Sequence, residues 1–288
     1  MKILITGAYG QLGNELKELA PRYPGWNFIF TDVDSLDITD EHAVRIFYQA
    51  NSPDIVINCA AYTAVEKAET DVETARKINA VAPGILAKAA KQAAAKLIHI
   101  STDYVFDGSA CRPLTEAEKV NPTGVYGSTK LEGEQNVQTE NPESVIIRTS
   151  WLYSAFGNNF VKTMLRLGKE KENLNVIFDQ VGTPTYAADL AGAILSIVGI
   201  SEKNPKKLVP GIYHYSNEGV ASWFDFAKAV FEISGVNCGV TPVLSSEFPS
   251  SVKRPHYSVL DKSKIKNTFE ISIPYWRESL KNCISKLT

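Results

Sequence analysis

The segment GAYGQLG, residues 7–13, limits the possible folds of this chain more than any other feature. It follows the β-branched and aliphatic run Lys2 to Thr6. It precedes Leu12, Leu16 and Leu19, whose spacing marks one face of a helix. Strand, glycine turn and helix in that order open a βαβ unit. Glycine permits the tight turn and lets backbone N–H groups at the helix N-terminus approach a pyrophosphate. Gly7, Gly10, Gln11, Leu12 and Gly13 are therefore candidate contacts to a dinucleotide. Glycines in this spacing are common, and it is the strand before and the helix after that give these weight.

A second apolar run, Phe28 to Phe30, ends at Thr31 and Asp32, nineteen residues beyond Gly13. A carboxylate there accepts hydrogen bonds from an adenosine ribose and repels a 2′-phosphate. No Arg or Lys follows through Asp37, so the pattern favours NADH over NADPH while leaving both as candidates. Asp37 and Ile38 are placed to flank the adenine, although Asp37 serves equally well as a turn residue before a helix. Ala60, Ala61, Tyr62 and Thr63 follow the third strand and are candidates for the middle of the cofactor.

Further along, helix-like stretches at about Asp40 to Ala50, Asn79 to Ala95 and Tyr126 to Gln138 alternate with strands at Asp54 to Asn58, Leu97 to Ile100 and Val145 to Ile147. Strands alternating with helices of ten or more residues pair in parallel, and near-continuous apolar strands are covered on both faces. This predicts an α/β fold with a doubly wound, Rossmann-type parallel sheet. Beyond Trp151 the pattern loosens. Helices are expected near Asn159 to Lys171, Ala187 to Val198, Ser222 to Ile233 and Tyr275 to Leu287, with strands near Leu174 to Phe178 and Ile212 to Tyr215. The segment Leu244 to Pro255 is rich in Ser and Pro. The expected division is a dinucleotide-binding domain over residues 1–150 and a smaller, mainly substrate-binding domain over residues 151–288, with some segments returning to the first.

Composition narrows the partners. Thirty Lys and Arg against thirty-two Asp and Glu leave a net charge of -2, and the pI is about 6.1. A chain that lives on phosphate contacts to nucleic acid is strongly basic, so none is expected. Apolar runs such as Ile55 to Ala61 and Ala191 to Ile200 fall short of the roughly twenty residues that cross a bilayer. The N-terminus lacks a signal-peptide pattern, and a cytoplasmic enzyme is expected. Cys59, Cys111, Cys238 and Cys283 form no Cys-x-x-Cys pair, and the four histidines are equally scattered. They predict no metal or redox centre.

Tyr126 and Lys130 form Y-x-x-x-K, which places both side chains on one helix face a turn apart. Thr102 follows the strand Leu97 to Ile100, at the carboxyl edge where parallel sheets gather ligands. Hydride reduction of a carbonyl requires a hydroxyl to hold the oxygen and a proton donor, and these residues supply both. An ammonium about 5 Å from the phenol, at an effective dielectric near 20, favours phenolate by roughly 3 kcal/mol. That predicts a tyrosine pKa lowered from about 10 to about 8.

Beyond the glycine turn, the segments NCAAYTAVEKAE, STDYVFDG, NPTGVYGSTKLEGE, RTSWLY, GNNFVKTMLRL, DQVGTPT and KRP cover nearly the whole chain. In them the sequence resembles the extended short-chain dehydrogenase/reductase superfamily, and within it the dTDP-4-dehydrorhamnose reductases. The resemblance implies reduction of the 4-keto group of dTDP-6-deoxy-L-lyxo-4-hexulose to dTDP-L-rhamnose. Tyr126 is then the proton donor, Lys130 its partner and ribose ligand, and Thr102 the carbonyl-polarising hydroxyl. Thr102 and Asp103 face the sugar, Trp151 packs on substrate, and Asn159 and Arg254 are further substrate contacts, the guanidinium suiting a diphosphate. Tyr104 and Phe106 are expected in the core. Some members bind Mg²⁺ through carboxylates at a dimer contact. Glu15 is present here, but Ala187 and Ala188 stand where an acid is expected after GTPTY, with Asp189 displaced by one. That argues against the metal and leaves monomer and homodimer open. Two other functions share the fold. An epimerase or dehydratase needs an extra acid/base pair near the sugar, of which only Asp103 is evident. A non-catalytic dinucleotide-binding regulatory subunit would not need Thr102, Tyr126 and Lys130 together.

Overall fold

The computed structural model describes residues 1–248, 252 and 254–287; Lys253 of the KRP segment lies outside them. Six strands form one parallel sheet: β1 (Lys2–Thr6), β2 (Asn27–Thr31), β3 (Ile55–Asn58), β4 (Lys96–Thr102), β5 (Val145–Thr149) and β6 (Gly211–His214). Their order is β6-β5-β4-β3-β1-β2. The chain leaves β1 to one side to make β2, then crosses back to lay β3 on the other side. A crevice therefore opens at the carboxyl ends of β1 and β3, the switch point where open α/β sheets bind ligands.

Alternation along the strands sends side chains to two separate cores. Ile3, Ile5, Ile57, Ile98 and Ile147 pack with Leu12 and Leu16 of α1 (Gln11–Leu19). Leu4, Val56, Leu97 and Ile146 face the opposite layer, with Val44 and Tyr48 of α2 (Glu41–Asn51), Leu86 of α3 (Ala82–Gln92) and Val137 of α4 (Val125–Glu140). Each such side chain, once buried, contributes about 1.5–3 kcal/mol. The doubly wound parallel sheet is the architecture that the strand and helix pattern predicts.

After Trp151 the chain builds a smaller region and also returns to the sheet. Helix α5 (Phe160–Glu170), a two-stranded parallel pair of Asn173–Ile177 with Gly239–Val243, and later helices enclose Tyr153, Val161, Phe226, Phe231, Trp276 and Leu280. Helix α6 (Ala187–Lys203) instead lays Leu190, Ile194 and Ile197 into the core beneath α1, and β6 extends the main sheet beside β5. Helix α7 (Trp223–Ser234) starts at a capping box. Ser222 Oγ accepts from the Asp225 N–H at 3.1 Å, and the Asp225 carboxylate accepts from the Ser222 N–H at 2.9 Å. Helices α8 (Ser263–Phe269) and α9 (Trp276–Ile284) complete the chain.

Two local features depart from the sequence pattern. The alanine-rich stretch is not one α-helix from Asn79: a π-helical turn over Lys77–Val81 precedes α3. Pro83 has no N–H for the carbonyl of Asn79, so the ladder widens there. The strand Gly239–Val243 was not signalled, since Pro242 interrupts its pattern; the pair has only two strands, and proline is tolerated on an edge.

Candidate functional site

The carboxyl ends of β1 to β5 open into a cleft of about 1100 Å³. At one end lies the glycine turn. Gly7 has φ +68°, and a Cβ there would stand 2.6 Å from the Ala60 backbone; one at Gly13 would stand 2.4 Å from the Gly7 carbonyl. Both positions therefore require glycine, and Gly13 acts by packing the turn rather than by lining the cleft. Gly10 caps α1 without any side-chain hydrogen bond, leaving helix N–H groups open to an anion. Gly7, Gly10, Gln11 and Leu12 line the cleft.

Asp32 stands at the end of β2 and accepts from the Tyr9 N–H at 2.9 Å, which ties its carboxylate to the glycine turn. Asp37 and Ile38 line the same end. The Asp37 carboxylate accepts from both the N–H and the hydroxyl of Thr39, and these bonds hold its pKa below the usual carboxylate value. Ala60, Ala61 and Thr63 border the middle of the cleft, but the Tyr62 side chain turns away to Asp71, 3.0 Å from its carboxylate. Open helix N–H groups, glycines at positions 7 and 10 and a carboxylate at the end of β2 fit a dinucleotide.

At the other end, Thr102, Tyr126 and Lys130 meet. Thr102 is the last residue of β4, and its hydroxyl donates to Asp103 at 3.0 Å and accepts from the Tyr104 N–H at 3.2 Å. Lys130, 2 % exposed, donates to the Ile100 carbonyl at 2.6 Å. The electrostatics reverse the expectation of a phenol near 8. Burial raises the Tyr126 pKa, outweighing the opposing effect of the neighbouring Thr102 hydroxyl, while burial lowers Lys130 to about 8 against the opposing pull of Glu134. A point-charge estimate leaves out desolvation, which disfavours the charged form of both groups. The resting site thus holds a neutral phenol. Asp103 is buried, with one carboxylate oxygen unpartnered, and burial pushes it up to about 6.

Five further residues support these groups, and spacing alone did not single them out. Asn79, buried on the π-helical turn, accepts from the Tyr62 N–H at 2.9 Å and donates to the Tyr62 carbonyl at 3.0 Å and to Thr129 Oγ1 at 3.3 Å. Thr129 in turn donates to the Tyr126 carbonyl at 3.0 Å, so the loop after β3 and helix α4 share one network. Glu69 accepts from the Val125 N–H at 2.8 Å and caps α4 beside Tyr126, a role that Gly124 cannot fill. Beneath the site, Glu134 and Arg148 form a bidentate pair at 2.8 and 2.7 Å, both nearly inaccessible to solvent.

The remaining candidates divide. Trp151 and Arg254 line the cleft. Trp151 has φ +47° and stacks on Trp223, and Arg254 pairs with Glu66 at 3.3 Å across the mouth. Asn159 does not line the cleft. Its amide donates to Gln11 and Ser154 and accepts from the Lys162 N–H to cap α5, whereas its neighbour Asn158 lies on the cleft wall. Phe106 is buried with Leu114 and Leu260. Tyr104, expected in the core, lines the cleft instead, edge-on to Tyr126 with centroids 5.3 Å apart. The 3₁₀ turn Asp103–Val105 breaks the strand alternation there and buries Val105 while turning Tyr104 outward.

Glu15 does not fit a divalent ion. Its carboxylate accepts from Ser154 Oγ at 2.6 Å and pairs with Lys286 at 3.3 Å, while Asp189 accepts from Asn217 at 2.7 Å and from Ser279. Among the described residues no group of three His, Cys, Asp or Glu is arranged to hold a metal, all four cysteines are free, and no helix is long and apolar enough to cross a membrane.

Comparison with known proteins gives the family of the chain. The family model described as RmlD substrate binding domain matches residues 1–288. A dTDP-4-dehydrorhamnose reductase from Clostridium acetobutylicum superposes with a TM-score of 0.93 at 48% identity, over 100% of this chain and 99% of that one. The enzyme of the same name from Bacillus anthracis, solved in complex with NADP, gives a TM-score of 0.91 at 40% identity, over 99% of each chain. In sequence, the dTDP-4-dehydrorhamnose reductase of Aggregatibacter actinomycetemcomitans is 39% identical over 98% of this chain and 97% of its own. With cleft, fold and sequence in agreement along the full length, the chain belongs to the dTDP-4-dehydrorhamnose reductase family of the extended short-chain dehydrogenases/reductases.

Proposed function

We propose that this chain is an NAD(P)H-dependent oxidoreductase that reduces the 4-keto group of dTDP-4-dehydro-β-L-rhamnose to give dTDP-L-rhamnose. The observation that carries this is the convergence of Thr102, Tyr126 and Lys130 in the same cleft as the glycine turn and Asp32. Reduced nicotinamide, when bound, supplies the hydride to the ketone carbon. Tyr126 delivers its phenolic proton to the ketone oxygen; its raised pKa keeps that proton in place at neutral pH. Thr102 holds the same oxygen by hydrogen bonding. Lys130, protonated in its majority at pH 7 and one helical turn from Tyr126, holds the ribose and balances the phenolate left after proton transfer.

Gly7, Gly10, Gln11, Leu12, Asp32, Ile38 and Ala61 hold the dinucleotide, and Asp32 favours NADH. Asp103 and Trp151 border the sugar, and Arg254 exchanges Glu66 for the diphosphate. The proposed reaction takes small-molecule partners and no metal, and the same reading gives the enzyme a cytoplasmic location. Incubation of purified protein with the 4-keto-deoxysugar nucleotide and NADH tests the assignment directly. Loss of reduced cofactor with formation of dTDP-L-rhamnose is expected, and absence of that product under both NADH and NADPH refutes it.

A further inference from the structure

The left-handed backbone of Trp151 is unusual for a bulky residue, and such strain persists only where neighbours hold it. Here three neighbours do. Trp223 lies flat on the Trp151 indole, with ring centroids 3.6 Å apart and planes 6° from parallel. Gly182 approaches the same indole so closely that a Cβ would stand 2.7 Å from Trp151 Cε2. The Trp151 carbonyl accepts from the Thr185 N–H at 3.1 Å. These supports are themselves tied together. The strand Ala221–Ser222 pairs antiparallel with Val181–Gly182, and the capping box at Ser222 fixes Trp223 as the first residue of α7. Trp223 borders the cleft alongside Trp151, and Phe160 packs on it at 4.7 Å.

We propose that Trp223 is a positioning residue for the nucleotide sugar: its stacked indole holds Trp151 in the strained conformation that presents a rigid aromatic wall to the substrate. The proposal rests on the assignment of the cleft to a dTDP-deoxysugar. The apolar side of such a sugar packs against a fixed aromatic surface at little entropic cost, and a wall free to relax would lose that benefit. Trp223 acts through Trp151 and takes no part in proton or hydride transfer. Its loss therefore weakens binding of the sugar nucleotide while the chemical step is spared.

Steady-state kinetics of Trp223→Leu, Trp223→Phe and Gly182→Ala, with far-ultraviolet circular dichroism of each, test the proposal. Stacked indoles couple their transitions, so the free wild-type enzyme should show an exciton couplet that both Trp223 variants lack. Trp223→Leu should raise KM for the sugar nucleotide at least tenfold, with kcat within threefold and KM for NADH within twofold of wild type. Trp223→Phe keeps a ring against Trp151 and should recover most of that loss. Gly182→Ala leaves Trp223 intact but displaces Trp151, and should raise the same KM. An unchanged sugar-nucleotide KM in Trp223→Leu overturns the proposal, as does an equal rise in both KM values or a failure of phenylalanine to rescue. A wild-type enzyme that turns over no deoxysugar nucleotide refutes the functional assignment instead, and the couplet still reports on the stack.

Discussion

Replacing Lys130 with methionine isolates the cost of burying a cation at the floor of the cleft. The side chain is 2 % exposed, and burial lowers its pKa from 10.5 to about 8. Below pH 8 the folded and unfolded chains both carry the proton, and the folded chain bears the full desolvation cost. Between pH 8 and 10.5 the folded chain has released the proton while the unfolded chain keeps it, so stability rises with pH across that window. The gap between the two pKa values is worth about 3 kcal/mol. Methionine has similar length and no charge, and it gives up chiefly the hydrogen bond to the Ile100 carbonyl, a loss that is constant with pH. Urea unfolding of both proteins from pH 7 to 10 therefore has a defined outcome. Wild type should gain on Lys130→Met by roughly 1 kcal/mol at pH 9 and roughly 2–3 kcal/mol at pH 10. Tyrosines that titrate in the same range are common to both chains and cancel in the difference. A stability difference that stays constant over this range would refute a depressed Lys130.

Four other outcomes follow from the same geometry. Tyr126→Phe should fold and bind cofactor yet lose at least about a hundredfold in kcat, the usual scale for a positioned proton donor; turnover near wild type would remove Tyr126 from that role. Gly7→Ala should lower the melting temperature and weaken dinucleotide binding, because the new Cβ meets the Ala60 backbone at 2.6 Å and φ is +68°; calorimetry and cofactor titration unchanged from wild type would contradict this. Glu134→Ala strands the buried Arg148 guanidinium and should cost about 3–5 kcal/mol in urea unfolding, against less than about 1 kcal/mol if the pair were solvated. NADH should support turnover because Asp32 disfavours a 2′-phosphate, and a strict requirement for NADPH in a cofactor comparison would be evidence against it.

Much of the sheet was legible because strand, turn and helix signals there are local. Gly7 and Gly13 mark a turn that tolerates no Cβ, and the alternation of Ile3, Leu4 and Ile5 already assigns their side chains to opposite faces. Thr102, Tyr126 and Lys130 were legible because helix spacing and strand-end position are written in sequence number. What escaped depends on separations that sequence does not display. Glu69 reaches the start of α4 across 56 residues, and Trp223 reaches Trp151 across the second region of the chain. Asn159 shows the converse. Its place in a segment shared with the family suggested a ligand contact, but the need to cap α5 takes up its amide. Tyr104 follows the same logic, since one short 3₁₀ turn after β4 exchanges which residues face inward.

The reversal of the Tyr126 and Lys130 titrations has the same origin and a chemical consequence. Pairwise spacing shows two charges attracting, but burial acts on each group alone and, in this cleft, is the larger effect. Lys130 has Glu134 one turn further along α4, and Arg148 on β5 holds Glu134 in a buried bidentate pair. His99, also buried there, is held neutral by burial and by that same lysine. In the proposed reaction a neutral phenol is the form that can donate a proton. On that proposal the proton stays on Tyr126 until a ketone oxygen gathers negative charge, and Lys130, one helical turn along α4, balances the phenolate then formed.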